Sequence, residues 1–491
     1  MATDIQFAPA PVSAEVAARP RKPAPKAARR ILTSRDEFKA ARRVPKAKLL
    51  PFVGVLFASK PHPPSFFVRM AREYGEIVGF DIAGKPLYLV NHPDYIQHVM
   101  QTNAGNYRKS DFYYRLKAMF GDGMLVTENE LWRSKRTLAQ PSFRRHRFDH
   151  YCDVMAECGT ALGDVVEAET RDGQPINIVP KVMAAALNVA TRTLMNCDLA
   201  EDKDRFTEII TTIMVQSEKR VWSLFELLHD LPNRARSERL QAIADFDALL
   251  YKVIKDRMEG RSSHDPAGPD MLQMLLESAC PVTGEPLSLS RLRDDFLTMV
   301  LAGHETTAVS IAWCLYLLCR HPDHMAAAQA EVDRVLGGRQ PTYEDLSELK
   351  FVKMVAQETM RLYPPFWTMS RAALADDEVR GYRIPKGATI MLCPYVMHRN
   401  PDYWPEPEKF DPYRFTPEAS ADRPKHAYFP FGTGPRQCIA NHFAMFEAQI
   451  MVAQMLQRFD LRLLTSKEVE SEPMISLRPK QGIHFTARSR A

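Results

Sequence analysis

The feature that most limits what this chain can fold into is a helical pattern of about thirty residues. It opens near Ser288, passes Phe296, Met299 and Leu301, and stops before His321-Pro322. At roughly 1.5 Å per residue such a helix crosses an entire domain, so its middle, Ala302 to Thr307, is expected deep inside the protein. The apolar spacing between about Leu131 and Leu362 is mostly helical as well. Strand patterns are short and few. Ile77 to Ile82 and Pro86 to Val90 flank Ala83-Gly84-Lys85 as a hairpin, and further segments stand at Gly381 to Gly387, Thr389 to Leu392, Leu461 to Leu464 and Gly482 to Thr486. The expected fold class is mainly α with small β-sheets (α+β). No repeat and no Gly/Ser linker interrupts residues 60 to 485, so residues 47 to 491 are expected to form a single domain.

Residues 1 to 46 are rich in Ala, Pro, Lys and Arg, a composition that buries too little apolar surface to order itself, and a flexible basic tail is expected there. Its prolines, with Asp4 and Glu15, do not suit an amphipathic, acid-poor targeting segment. Much of the basic excess lies in the first fifty residues, so the formal charge of +5 leaves the body near neutral and argues against nucleic-acid binding. No apolar run reaches the roughly 18 to 20 residues of a membrane-spanning helix, and a transmembrane anchor is not expected. The eight cysteines (152, 158, 197, 280, 314, 319, 393 and 438) form no C-x-x-C pair, and several lie in apolar runs, as reduced buried thiols do. A cytoplasmic monomer is the expectation.

Cys438 differs from the other seven. It lies in Phe429-Pro430-Phe431-Gly432-Thr433-Gly434-Pro435-Arg436-Gln437-Cys438-Ile439-Ala440, where a loop enters a helical pattern running to about Phe459. Unpaired backbone N–H groups and the positive end of a helix favour thiolate over thiol at such a place. The glycines let backbone pass close to a flat cofactor, and Arg436 is placed to reach an acidic edge of it. The pattern Phe431-x-x-Gly434-x-Arg436-x-Cys438 resembles the haem-binding signature of the cytochrome P450 family, with Ala440 where that family usually has glycine.

The resemblance implies a cytochrome P450 fold with the long helix over haem b, Cys438 as the iron ligand, and Phe431 and Gly432 in the cofactor-binding loop. It extends to Glu358-Thr359-Met360-Arg361 and Phe410-Asp411-Pro412-Tyr413-Arg414, which implies a buried structural network of Glu358, Arg361 and Arg414. Trp132 and Arg136, four apart on one helical face, resemble the family's propionate-contacting helix, and Arg371 and Arg436 are the other candidates for that role. In Ala302-Gly303-His304-Glu305-Thr306-Thr307 the resemblance implies that Thr306 holds the reacting oxygen, that Glu305 passes protons, and that Ala302 and Gly303 leave room. His304 is assigned no role.

Thiolate ligation suits oxygen activation, so the implied activity is insertion of one atom of O2 into a hydrophobic substrate, fatty acyl or terpenoid-like. The two electrons, ultimately from NAD(P)H, are expected from a separate ferredoxin or flavodoxin with its reductase, received near Arg133 and Lys135. The rival readings are an H2O2-using peroxygenase, which should dispense with the Glu305–Thr306 pair, and a non-enzymatic haem sensor. The resemblance implies substrate contacts near Phe112 to Phe120, around Leu301 and Ala302, at Phe366-Trp367-Thr368, and near Met474-Ile475.

Overall fold

A computed structural model describes residues 41–49, 58–60, 62–82, 84–197, 203–221, 233–260, 268–280 and 284–490. Its first half runs α1 (Pro63–Tyr74), β1 (Ile77–Ile82), β2 (Lys85–Val90), α2 (Pro93–Gln97), β3 (Tyr107–Lys109), α3 (Asp111–Phe120), α4 (Asn129–Ala139), α5 (Phe148–Thr170), β4 (Ile176–Asn177), α6 (Ile178–Met195), α7 (Lys203–Val221), α8 (Arg234–Met258) and α9 (Met271–Leu276). Then follow α10 (Leu289–Arg320), α11 (Pro322–Leu336), α12 (Lys350–Leu362), β5 (Met369–Ala373), β6 (Asp377–Val379), β7 (Tyr382–Ile384), β8 (Thr389–Leu392), α13 (Pro394–Met397), α14 (Pro417–Ser420), α15 (Asn441–Arg458), β9 (Phe459–Leu463), β10 (Ser471–Pro473), β11 (Leu477–Pro479) and β12 (His484–Ser489).

The 32-residue α10 is the long helix expected from sequence. Ser288 caps its start by accepting from the Arg291 N–H at 3.3 Å, and Pro322, which cannot continue a helix, opens α11 two residues past its end. It lies along α6 and crosses α12 and α15, and its side chains from Ala308 to Leu318 are buried in the largest apolar cluster with α5, α6 and α15. A second cluster packs the first half of α10 against α3, α7 and α8. A helix apolar all round in this way is stable only when enclosed.

The strand segments read from sequence are present, in separate sheets. The main sheet has the order β1-β2-β8-β5-β3, with β2 and β8 parallel and the other pairs antiparallel. β6 pairs with β7, β10 with β11, and β12 lies between β4 and β9.

One boundary needs correction. Residues 41 to 46, assigned to the flexible tail, are docked: Arg42 N–H donates to Gly381 O at 2.7 Å, Gly79 N–H to Pro45 O at 2.7 Å, and Val44 is buried. Composition averaged over the segment hid this, because a few backbone bonds and one apolar side chain suffice to hold six residues. The rest of the tail, residues 1 to 40, lies outside the described residues.

Candidate active site

The loop before α15 is closed by its own backbone. Gly432 N–H donates to Phe429 O at 2.9 Å and Cys438 N–H to Phe431 O at 2.9 Å, while Phe429 N–H is received by His398 Nε2 at 3.0 Å. Gly434 has φ +69°, and a Cβ there would collide with the Met100 carbonyl in the π-helical turn His98–Thr102. Both facts require glycine. Ala440 does not: at φ −101° and ψ 22° its backbone suits alanine, so the departure from the usual family glycine costs nothing here.

Cys438 is exposed, whereas Cys152, Cys158, Cys280, Cys314 and Cys393 are buried. Its sulfur is nonetheless surrounded closely enough that burial pushes the thiol above its ordinary range. Accessible surface inside such an envelope marks an interior space. The Ala440 N–H and the Arg136 cation pull the thiol the other way, as the loop-to-helix position led us to expect, but burial outweighs them. The contacts at the loop-to-helix position thus favour thiolate against the cost of burial; a metal cation bound at the sulfur would displace the proton itself.

Beside the cysteine lies a cluster of buried and half-buried cations. Arg436 stacks 4.1 Å over the Trp132 ring and donates from Nη2 to Thr127 O at 2.5 Å and to Glu128 Oε2 at 2.6 Å. Its Nη1 is buried with no hydrogen-bond partner. Arg371 is buried on β5 and gives Nη1 to the Ser370 carbonyl at 2.9 Å. Lys109, at the end of β3, is buried with its ammonium 4.5 Å from the Tyr113 ring and donates to Leu125 O. Burial, and then the charges of Arg371 and Arg436, drive the Lys109 ammonium well below its ordinary range. Glu128 pairs with Arg436 and accepts from the Lys109 backbone N–H at 2.6 Å. Buried positive charge in excess is costly unless a ligand supplies anions. Nothing in the sequence singled out Lys109, because a lysine at the end of a short strand is commonplace.

Arg136 shares the helical face of Trp132 as expected, but its Nη1 donates to Gln437 O at 2.7 Å. It braces the cysteine loop and sets its charge beside the sulfur. Lys135, expected at the surface for a redox partner, is buried in a 2.8 Å ion pair with Asp295. Helical spacing explains the miss, since residues 133 and 135 point to different sides of α4; Arg133 is exposed and paired with Glu130.

The long helix presents a narrow strip of accessible surface in a buried stretch. Ala302 is exposed and Gly303 and Thr306 are half-buried, while Leu301, His304, Glu305 and Thr307 are buried. A Cβ at Gly303 would meet no atom within 4 Å. Thr306 gives its hydroxyl to the Ala302 carbonyl at 2.7 Å. Glu305 points elsewhere, accepting on Oε1 from Ser476 Oγ at 2.5 Å and pairing with Arg478.

Phe366 and Ile475 are half-buried, and Ile475 packs on the cluster that holds Met299 and Leu301. Trp367 is corrected as a pocket residue: it is 1% exposed in a different cluster, with Phe66, Leu89 and Leu477, and its indole N–H donates to Met474 O at 2.9 Å. Phe366 packs instead on the cluster of Met369, Ile390 and Phe429, so Phe366 and Trp367 do not line one wall together.

The expected ionic network is present. Arg361 donates Nε to Glu358 Oε2 at 2.6 Å and Nη2 to Glu358 Oε1 at 2.7 Å, and its other donors go to the carbonyls of His398, Pro407 and Lys409. Arg414 Nε stands 3.5 Å from Glu358 Oε1. Glu358 and Arg361 are both fully buried. Burial lifts the Glu358 carboxyl above its ordinary range, against the pull of Arg361 and the Asp411 N–H.

The residues fit a haem: an accessible cysteine in a glycine-formed loop, an unpartnered buried guanidinium N–H among surplus cations, and a helix strip where a Cβ meets open space. Comparison with known proteins agrees. The family model of cytochrome P450 matches residues 44–486. The chain is 32% identical to cyclooctatin synthase of Streptomyces melanosporofaciens over 87% of this chain and 92% of that one. It is 31% identical to cytochrome P450 132 of Mycobacterium tuberculosis over 84% and 90%, and 29% identical to the carotene epsilon-monooxygenase of Arabidopsis thaliana over 86% and 81%. With that match over most of its length, joined to the cysteine loop and the long helix, the chain belongs to the cytochrome P450 family of haem monooxygenases.

Proposed function

We propose that this monooxygenase holds haem b through Cys438 and inserts one oxygen atom of O2 into a hydrophobic, terpenoid-like or fatty acyl substrate, using electrons from a separate partner. The carrying observation is the accessible Cys438 together with the accessible strip Ala302, Gly303 and Thr306 in an otherwise buried helix. Haem, when bound, supplies the iron chemistry that activates oxygen. Cys438 would ligate it, with the Ala440 N–H and Arg136 tempering the sulfur charge. Arg436, Arg371 and Lys109 would neutralise its carboxylates, and the Trp132 ring fixes the plane of the Arg436 fork. Phe431 and Gly432 would shape the loop beneath it.

Thr306 would hold a hydrogen bond at the reacting oxygen, switching its hydroxyl from the Ala302 carbonyl, and Glu305 would pass protons toward it. Phe366 and Ile475 would exclude water and hold substrate by apolar contact, with Ala302 leaving room. One relative's name specifies carotene, a terpenoid hydrocarbon, which favours the terpenoid side. A ferredoxin or flavodoxin with its reductase, fed by NAD(P)H, would dock near exposed Arg133, and the cytoplasm is the proposed compartment.

The test is turnover of a terpene and fatty-acid library with surrogate ferredoxin or flavodoxin systems, after screening for substrate-induced shifts of the haem spectrum. NADPH- and O2-dependent product carrying one atom of labelled O2 is expected. Product from H2O2 alone, with none from NADPH and O2, would indicate the peroxygenase, and no product from either would indicate the sensor.

A further inference from the structure

Glu305 is buried, yet what holds it lies far away in the chain. Ser476 Oγ donates to its Oε1 at 2.5 Å, and Arg478 Nε donates to the same oxygen. Ser476 is 1% exposed, whereas Arg478 keeps 18% of its side chain accessible. The buried acid thus has a counter-charge that reaches toward solvent. Oε2 takes neither contact.

The turn carrying these two residues is held firmly. Trp367 donates its indole N–H to Met474 O at 2.9 Å, Trp313 of α10 donates to Leu477 O at 2.9 Å, and Leu477 N–H donates to Pro365 O at 3.0 Å. β10 and β11 pair on either side of it. Between Met474 and Ser476 stands Ile475, against the cluster that includes Leu301.

We propose that the β10–β11 turn is the positioning unit of the proton-passing acid: Ser476 and Arg478 fix the Glu305 carboxyl by Oε1 and leave Oε2 to exchange protons. This rests on the reading of Glu305 and Thr306 given above. Only protons move. Glu305 gives one from Oε2 toward the oxygen being reduced and takes one back from water on the Arg478 side, with no change in its own oxidation state. Ser476 and Arg478 act through Glu305.

Three measurements on haem-loaded protein test this. Ser476→Ala and Arg478→Gln should lower product per NADPH about tenfold, a part of the 10²–10⁴-fold that a positioned acid contributes, and divert electrons to H2O2. They should enlarge the solvent deuterium isotope effect, while Ser476→Thr and Arg478→Lys retain most of the yield. In a Glu305→Gln background the same substitutions should change neither quantity more than about twofold, as expected of residues acting through one acid. Independently of turnover, Arg478→Gln should lower the Tm, and adding Glu305→Gln should restore it, because the buried charge left unpaired is then gone. The proposal is overturned if Glu305→Gln loses product yield while Ser476→Ala and Arg478→Gln keep it within twofold, or if the Tm changes of Glu305→Gln and Arg478→Gln simply add. Full yield in Glu305→Gln itself would instead overturn the role given to the acid, and this inference with it.

Discussion

Arg436 carries a buried guanidinium nitrogen with no partner, and that is expensive unless something in the working protein receives its proton. A cofactor carboxylate would do so, in the plane already set by Trp132 and Glu128. Arg436→Lys keeps the charge but loses the fork, and should weaken haem retention by about 1–3 kcal/mol, read from haem transfer to an acceptor protein. Glu358 makes a different kind of demand. Its removal leaves Arg361 charged, fully buried and without its bidentate partner. Glu358→Gln should cost about 3–5 kcal/mol in chemical unfolding and reduce the fraction of protein recovered with haem. Unchanged stability would mean that the network is not what holds this region together.

Elements carry constraints that single side chains do not. The cysteine loop turns at Gly434 against the π-helical turn His98–Thr102, so Gly434→Ala should fail to recover haem although it lies four residues from the sulfur. Trp367 and Phe366 should separate cleanly. Trp367→Ala empties a core site and frees the Met474 turn, with an expected loss of about 3–5 kcal/mol in thermal or chemical unfolding. Phe366→Ala should alter substrate-induced spectral shifts with a smaller loss of stability. What sequence could show tracks the range of the interactions. The bounds of α10 were legible because Ser288 and His321-Pro322 are local stop signals, and Glu358 with Arg361 because three-residue spacing on a helix is local too. The partners of Glu305 were not legible: Ser476 and Arg478 stand 171 and 173 residues away, in a turn whose packing no local pattern encodes. Trp367 and Lys135 were misplaced for the same reason, since aromatic or basic character does not say which way a side chain faces. The docking of residues 41 to 46 was hidden by a composition shared with their neighbours.

At the scale of the molecule, none of the described helices is long and apolar enough to cross a membrane, so the long α10 is a domain-crossing core helix. Its burial fixes a pH dependence. Burial drives the His304 imidazole from 6.5 down to about 4 and holds His398 well below its ordinary range. Between pH 6.5 and about 4 the unfolded chain therefore binds more protons at His304 than the folded one does, and His304 makes stability fall as the pH falls, by about 1.4 kcal/mol per unit. In chemical unfolding between pH 7 and 4 the parent should lose more stability than His304→Leu as the pH falls; an equal loss in the two would mean that His304 takes up its proton in the folded state.

The account as a whole depends on one sulfur reaching one metal. The most direct measurement is the difference spectrum of the dithionite-reduced protein with carbon monoxide, taken for the parent and for Cys438→His. The parent should give the red-shifted Soret maximum of thiolate-ligated haem, and the variant, where it retains haem, should give the maximum of imidazole ligation. Identical spectra from the two proteins would contradict the assignment of Cys438 and the mechanism built on it.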